Sequence, residues 1–417
     1  MTSSGYKSTE IGEIPEDWKL ARLGDAQFSE INMGQSPPSA SYNDRGRGIP
    51  FLQGNADFGF KFPEPTKYCT SPMKITKEGD ILISVRAPVG DINISNGYYC
   101  IGRGLAAINP NRKLLGNYFL YYVLLSRRKE LERLSTGSTF KAIGKNEIYN
   151  FLIQVPSLPE QQKISEILTT ADRKIEHIDK EIKATKKLKK GLMQTLLTRG
   201  IGHTKFKTTE IGEIPEEWRI KRLREIAQTT SGGTPSRKNP DNFNGVIPWV
   251  KSGELNDNVI SQTEEKINDS ALQNSSAKML PRGTLLIALY GATVGKTAIL
   301  GISGTTNQAV CAILENDKIF DTLFLKFYLV YIRNSLVSQS SGGAQPNISQ
   351  EIIRNTLIPL PSLSEQQKIA EILNTVDRKL ELLRDKNGKA EHMKKGLMQS
   401  LLTGNIRVKT RTTEGDN

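Results

Sequence analysis

Through residues 156–200, mostly apolar positions recur every seven residues. Ile164, Ala171, Ile178, Thr185 and Leu192 form one row, and Leu168, Ile175, Ile182, Lys189 and Leu196 follow four places behind. That alternation puts both rows on one face of a single long helix. Residues 361–404 repeat the register at Ile369, Val376, Leu383, Ala390 and Leu397, with Leu373, Leu380 and Leu401 four behind. A heptad stripe of this length has to be buried against another helix. The chain supplies its own partner, so the two segments are read as an internal coiled-coil pair. About 40 residues rising 1.5 Å each make a rod of roughly 60 Å.

The ends of these helices are marked too. Ser157 with Glu160, and Ser362 with Glu365, have the spacing of a capping box. Pro159 is tolerated in the first turn, and Gly200 and Gly404 suit the stop. Gly191 and Gly396 sit inside the helices at a cost of about 1 kcal/mol each. A tolerated kink explains them, and so does close backbone approach to another helix or a partner.

Elsewhere the apolar runs are short. Gly79-Asp80-Ile81-Leu82-Ile83-Ser84 matches Gly283-Thr284-Leu285-Leu286-Ile287-Ala288, a turn followed by a buried strand. Residues 114–134 and 320–337 are aromatic-rich with helical spacing. Gly137-Ser138-Thr139 and Gly342-Gly343-Ala344 mark loops, and residues 405–417 read as a frayed tail.

The repetition extends beyond the helices. Residues 9–18 read TEIGEIPEDW and residues 209–218 read TEIGEIPEEW, offset by 200, whereas the helices are offset by 205. The middles are only distantly alike: Gly34-Gln35-Ser36-Pro37 resembles Gly232-Gly233-Thr234-Pro235, and Ile49-Pro50-Phe51 resembles Ile247-Pro248-Trp249. The expected architecture is α+β: a globular domain over residues 1–155, a helix over 156–200, a second domain over 201–360 and a second helix over 361–404. Near-identical ends around unlike middles describe one frame holding two different contents.

A chain of 417 residues exceeds one ordinary core. No run approaches the ~18 apolar residues of a membrane span, and the polar start MTSSGYKSTE predicts no export. Cys69, Cys100 and Cys311 are scattered and form no C-x-x-C pair, which points away from zinc or disulfides and fits a reducing cytoplasm. The net charge of +13 favours a polyanionic partner, nucleic acid before membrane.

Catalytic motifs fare poorly. Gly291-Ala292-Thr293-Val294-Gly295-Lys296-Thr297 is one residue short between its glycines for a P-loop, and the matching Arg86-Ala87-Pro88-Val89-Gly90-Asp91 lacks the lysine. It reads as a turn after a strand or as a contact to DNA phosphate. His177, His203 and His392 are the only histidines and read as solvated. Neither H-E-x-x-H, G-x-S-x-G nor a strand-following G-x-G-x-x-G occurs, and the Asn-Pro-Pro-aromatic clamp of amino-methyltransferases is absent. Lys183, Lys186, Lys187, Lys189 and Lys190, with Lys386, Lys389, Lys394 and Lys395, are the wet side of a coiled coil or a basic track.

The openings TEIGEIP…W, the string IPWVKSGE, the doubled PSLPEQQKI and PSLSEQQKI and the KKGLMQ helix ends together resemble type I restriction–modification specificity subunits. The resemblance covers essentially the whole chain. It implies a subunit without enzymatic activity that binds double-stranded DNA and directs two methyltransferase subunits and ATP-dependent restriction subunits to a bipartite sequence. S-adenosylmethionine, ATP and magnesium would belong to those partners, with no cofactor or metal here. Each globular domain would read one half-site and the antiparallel helix pair would fix their separation.

Residue type and placement in matched loops nominate DNA contacts: Gln35, Gln53, Arg86, Arg103 and Lys141 in the first domain, and Lys251, Ser252, Tyr290, Lys296, Asn307, Gln308 and Asn347 in the second. Arg and Lys suit guanine, Asn and Gln suit adenine, and all of them can hold phosphate. Methyltransferase docking is expected at exposed helix starts, Glu160, Gln161 and Gln162 with Glu365, Gln366 and Gln367. Two other classes compete: a coiled-coil interaction scaffold without DNA specificity, and an NTPase. Binding to duplex that weakens steeply with salt separates a DNA reader from the scaffold. Nucleotide-dependent melting would revive the NTPase.

Overall fold

The two near-identical openings fold as near-identical hairpins. In each, a strand (Tyr6–Thr9, Phe206–Thr209) turns back onto Gly12–Pro15 or Gly212–Pro215. A computed structural model gives the fold and describes residues 5–135, 141–339 and 347–409. The loops expected at Gly137-Ser138-Thr139 and Gly342-Gly343-Ala344, and the tail beyond residue 409, lie outside the described residues. The chain divides into two compact units, Met1–Asp179 with Lys386–Asn417, and Lys180–Asp385. The division cuts both long helices, Leu158–Arg199 and Leu363–Leu401, so each unit holds part of both.

In the first unit the chain enters and leaves the variable middle through paired antiparallel strands, Lys19–Arg22 and Leu152–Val155. Between them lies an antiparallel sheet ordered Ser29–Met33, Leu105–Pro110, Ile81–Ser84, Ile92–Ile94. A second sheet is ordered Cys100–Ile101, Ile49–Leu52, Lys67–Cys69, Tyr42–Asn43. Ile81–Ser84 is buried throughout, as its unbroken apolar run predicts. The aromatic-rich stretch forms Asn117–Ser126, whose Phe119 to Leu124 are all buried. They share one core with Trp18, with Ile164 and Leu168 of the first long helix, and with Met398 and Leu401 of the second.

The second unit repeats the plan. Its stem is Arg219–Arg222 against Leu357–Leu360, and its main sheet has five strands, centred on the buried Leu285–Ala288. A three-stranded sheet contains Ile247–Val250, and helix Thr322–Tyr331 takes the place of Asn117–Ser126. Met193, Leu196 and Leu197 share its core with Ile369, Ala370 and Leu373. In each unit, early residues of one helix meet late residues of the other.

Heptad positions of both helices are buried or half-buried, Lys189 included, because Lys189 reaches inward to Asp377 at 2.6 Å. The equivalent pair in the first unit is Lys394 with Asp172, also 2.6 Å. Neither interior glycine marks a kink or an internal close approach. The helices run unbroken through Gly191 and Gly396, both exposed, and a Cβ at either would meet nothing within 4 Å. Among the described residues no helix is long and apolar enough to cross a membrane.

Candidate nucleic-acid interface

In the first unit the nominated residues come from separate loops that the backbone laces together. Gly34 passes so close to Gly102 that a Cβ would lie 2.2 Å from its carbonyl oxygen, so only glycine lets this turn approach. The Gln35 amide donates to Ile101 (3.0 Å), the Arg103 amide to the Ser36 hydroxyl (3.1 Å) and the Gln53 amide to Asp57 (2.8 Å). The Val85 amide reaches Gly104 (2.9 Å), and Arg86 bridges to Ala142 beside Lys141. Gln35, Gln53, Arg86, Arg103 and Lys141 therefore lie on neighbouring loops, all exposed.

The second unit laces equivalent turns. The Gly233 amide donates to Thr306 (2.9 Å), the Asn307 amide to Val250 (2.9 Å) and the Leu289 amide to Ala309 (2.8 Å), while Tyr290 bridges to Asn347. Its side chains are more committed than the sequence suggests. Lys251 is ion-paired to Glu264 (2.7 Å) and Glu265 (3.0 Å), which together raise its pKa. Lys296 donates to Asn256 (2.8 Å), Gln308 bonds Thr234, and Tyr290 is half-buried against the core. Ser252 is half-buried, its carbonyl accepting from Thr293 (2.7 Å). The Oδ1 of Asn307 is buried without a hydrogen-bond partner among the described residues. The residues after Tyr290 form the turn into strand Thr297–Leu300. Asp257 braces that turn. Burial alone would raise its pKa, but the Thr297 amide and the Arg333 guanidinium outweigh burial and hold it below the usual range.

The exposed helix starts need correction. Glu160 is 3% exposed, Gln161 and Gln366 are buried, and Glu365 is half-buried; only Gln162 and Gln367 face solvent. The physical reason is that these side chains clamp the hairpins. Glu160 accepts from Trp18 Nε1 (3.1 Å) and from Arg407 Nε and Nη2 (2.7 and 2.9 Å), and Arg407 also grips Asp17 at 2.9 and 2.7 Å. Glu365 accepts from Trp218 Nε1 (3.2 Å) and the Ile201 amide (2.9 Å), and contacts His203 Nε2 at 2.9 Å. The glutamates thus serve tryptophans, and the Glu365 amide alone keeps its capping bond, to the Ser362 hydroxyl (3.3 Å). Gln161 accepts from the Gly116 amide and donates to the Leu114 and Pro156 carbonyls; Gln366 does the same with Asp321, Ile319 and Pro361.

Two expectations fall with this. His203 is packed beside Glu365 and the edge of Trp218, not solvated. Residues 405–409 are docked through Arg407 and Val408, not frayed. The hairpin tryptophans and Arg407 were missed as functional parts. The available signal was a tryptophan at the same place in both openings.

Known proteins share this doubled plan. A family described as "Type I restriction modification DNA specificity domain" matches residues 15–186 and 215–392. The chain belongs to that family. It is 29% identical over 412 residues to the type I restriction enzyme MjaVIII specificity subunit of Methanocaldococcus jannaschii, covering 95% of this chain and 94% of that one. It is 48% identical over 193 residues to the putative type I restriction enzyme MjaX specificity subunit of the same organism, a match spanning 46% of this chain and 45% of that relative. Among solved structures, the S subunit of a type I restriction–modification system from M. genitalium superposes with a TM-score of 0.62 at 16% identity, covering 95% of this chain and 98% of the other. At that identity the likeness concerns the fold alone.

Proposed function

We propose that this specificity-family chain is the non-catalytic DNA-reading subunit of a type I restriction–modification complex. Each unit reads one half of a bipartite duplex. The two long helices pair as an antiparallel coiled coil and fix the spacing of the halves. One observation carries this reading: the clamps built by Trp18, Glu160 and Gln161 recur at Trp218, Glu365 and Gln366, whereas the loops bearing Gln35, Gln53 and Arg103 differ from those bearing Lys251, Asn307 and Gln308. A constant frame with divergent exposed loops is what two different half-sites require. In the first domain all five nominated side chains are exposed. In the second, Gln308 and Asn347 are exposed, whereas Lys251 is ion-paired to Glu264 and Glu265 and Lys296 is tethered to the Asn256 amide.

Two copies of a methyltransferase subunit dock on the repeated frame, and S-adenosylmethionine, ATP and magnesium act in the partner subunits of a cytoplasmic complex. The exposed Gln162 and Gln367 and the two open glycines support such docking, since among the described residues no neighbour needs a glycine at 191 or 396. Substituting leucine at Gly191 or Gly396 is expected to leave melting of the isolated chain unchanged or slightly raised. The same change weakens capture of one methyltransferase copy at least tenfold, as read by titration and native mass.

The test of the main reading is binding of the assembled complex to duplex fragments of the source genome, with mapping of its methylated positions. A split target and an affinity that falls steeply with salt are expected. Salt-insensitive binding, or none, favours the scaffold.

A further inference from the structure

Tyr42–Asn43 and Ile49–Leu52 flank Lys67–Cys69 on either side, and the loop that crosses between them reads Asp44-Arg45-Gly46-Arg47-Gly48; one side chain holds it. Asn43 Oδ1 accepts from the amides of Arg45 (3.1 Å) and Arg47 (3.0 Å). Its Nδ2 donates to the carbonyls of Arg47 (2.8 Å) and Tyr68 (3.4 Å). The amide is therefore used on both donors and both acceptor lobes. Gly46 and Gly48 have φ of 75° and 90°, and a Cβ at Gly48 would lie 2.1 Å from the Cys69 carbonyl oxygen. The path requires glycine at both places. At the base, Tyr42 stacks on Phe51 with ring centroids 4.6 Å apart and donates to the Pro37 carbonyl (2.7 Å), the turn that carries Gln35.

This stitching presents Arg45 and Arg47, both exposed. Neither has an acidic partner among the described residues, unlike Arg127, Arg128, Arg237, Arg333 and Arg407, each paired to a carboxylate. The corresponding stretch ahead of Ile247 in the second unit has no such device. It forms a short 3-10 turn over Pro240–Phe243, and its nearest arginine, Arg237, is stacked on Phe243 and bonded to Glu265. Packing accounts for Asn43 and the glycines but gives the two guanidinium groups nothing to do. A fixed loop holding two guanidiniums with no acidic partner among the described residues offers placed positive charge to phosphate oxygens.

We propose that Arg45 and Arg47 grip the DNA backbone at the half-site read by the first unit, a contact the second unit does not duplicate. This rests on the DNA-reading function proposed above. The loop supplies affinity and register on the duplex, while the exposed Gln35, Gln53 and Arg103 supply sequence preference.

The experiment compares the assembled complex carrying the wild-type chain, the double variant Arg45→Ala/Arg47→Ala, and the double variant Arg45→Lys/Arg47→Lys. Each is titrated with its target duplex across a salt series. The alanine pair is expected to weaken binding about ten- to hundredfold and to flatten the log–log salt slope by about 1.8, the value for two phosphate contacts. Both half-site sequences stay unchanged. The lysine pair restores most of the affinity, because a backbone phosphate contact rests on positive charge, which lysine keeps. Asn43→Ala, which frees the loop but keeps its charges, gives an intermediate loss. Unchanged affinity and slope for the alanine pair overturn the proposal. So does a lost base preference in the first half-site that lysine fails to restore. A wild-type complex that binds no duplex would sink the DNA-reading function as well; normal wild-type binding with indifferent variants sinks the loop alone.

Discussion

Replacing Asp172 with alanine is expected to lower the stability of the first unit by about 3–5 kcal/mol, the cost of leaving a buried charge without its partner. Its carboxylate, on the first long helix, takes charge from two directions. Lys61, from the variable middle, lies 3.2 Å away, and Lys394, from the second long helix, lies 2.6 Å away. The Tyr122 hydroxyl donates to it at 2.5 Å and accepts from Lys61 at 2.9 Å. The Asp172 side chain is 4% exposed and Lys61 9%, so water cannot take over either role. Burial already pushes the Lys61 pKa down, with Asp172 opposing it, and burial with the Asp172 bond pushes the Tyr122 hydroxyl well above its ordinary range. Without the carboxylate, two ammonium groups would share an apolar site lined by tyrosine rings. The matching change Asp377→Ala should cost less than half as much, because Lys189 and Asp377 remain 22% and 28% exposed. Urea unfolding of the full chain measures both. Equal losses would show that burial of the first cluster contributes nothing.

That cluster also marks where sequence reading stops. The heptads were legible because a stripe repeating every seven residues has one physical explanation, and the buried strands because unbroken apolar runs between turns have few. Asp172 falls off the stripe, and nothing local distinguishes it from a solvated charge. It is buried because Lys61, more than a hundred residues earlier, arrives at the same place. Glu160 and Glu365 show a different failure. Their spacing from Ser157 and Ser362 fits a local cap, and the local rule was overridden by distant tryptophans that needed an acceptor. Lys251 and Lys296 looked available because a sequence shows a charge without showing the acids that pair with it or the amides that tether it. The matched loops were legible from their repeat, since Gly34 and Gly232 are forced by close backbone approach in both units. The direction in which their side chains are free had to come from the fold.

Exchanging residues 23–151 for the corresponding middle of another family member is expected to replace one half of the recognised sequence and leave the other half and the spacer intact. The stem dictates the cut. Lys19–Arg22 and Leu152–Val155 run antiparallel side by side, and just inside them the Leu23 amide meets the Phe151 carbonyl at 2.8 Å, so the middle leaves the frame through two adjacent chain crossings. Keeping the strand pair preserves Trp18, Glu160 and Arg407. Gln161 spends its bonds on backbone groups at Leu114 and Gly116, which a homologous middle supplies whatever its side chains. The group put at risk is the buried Asp172, which loses Lys61 but keeps Lys394, so a chimera should fold with a modest loss that restoring a lysine at the equivalent of position 61 recovers. Mapping methylated positions made by chimeric and parental complexes reads the outcome directly. Both halves changing together would mean that the units do not read independently, and neither changing would place the reading residues outside the middle altogether.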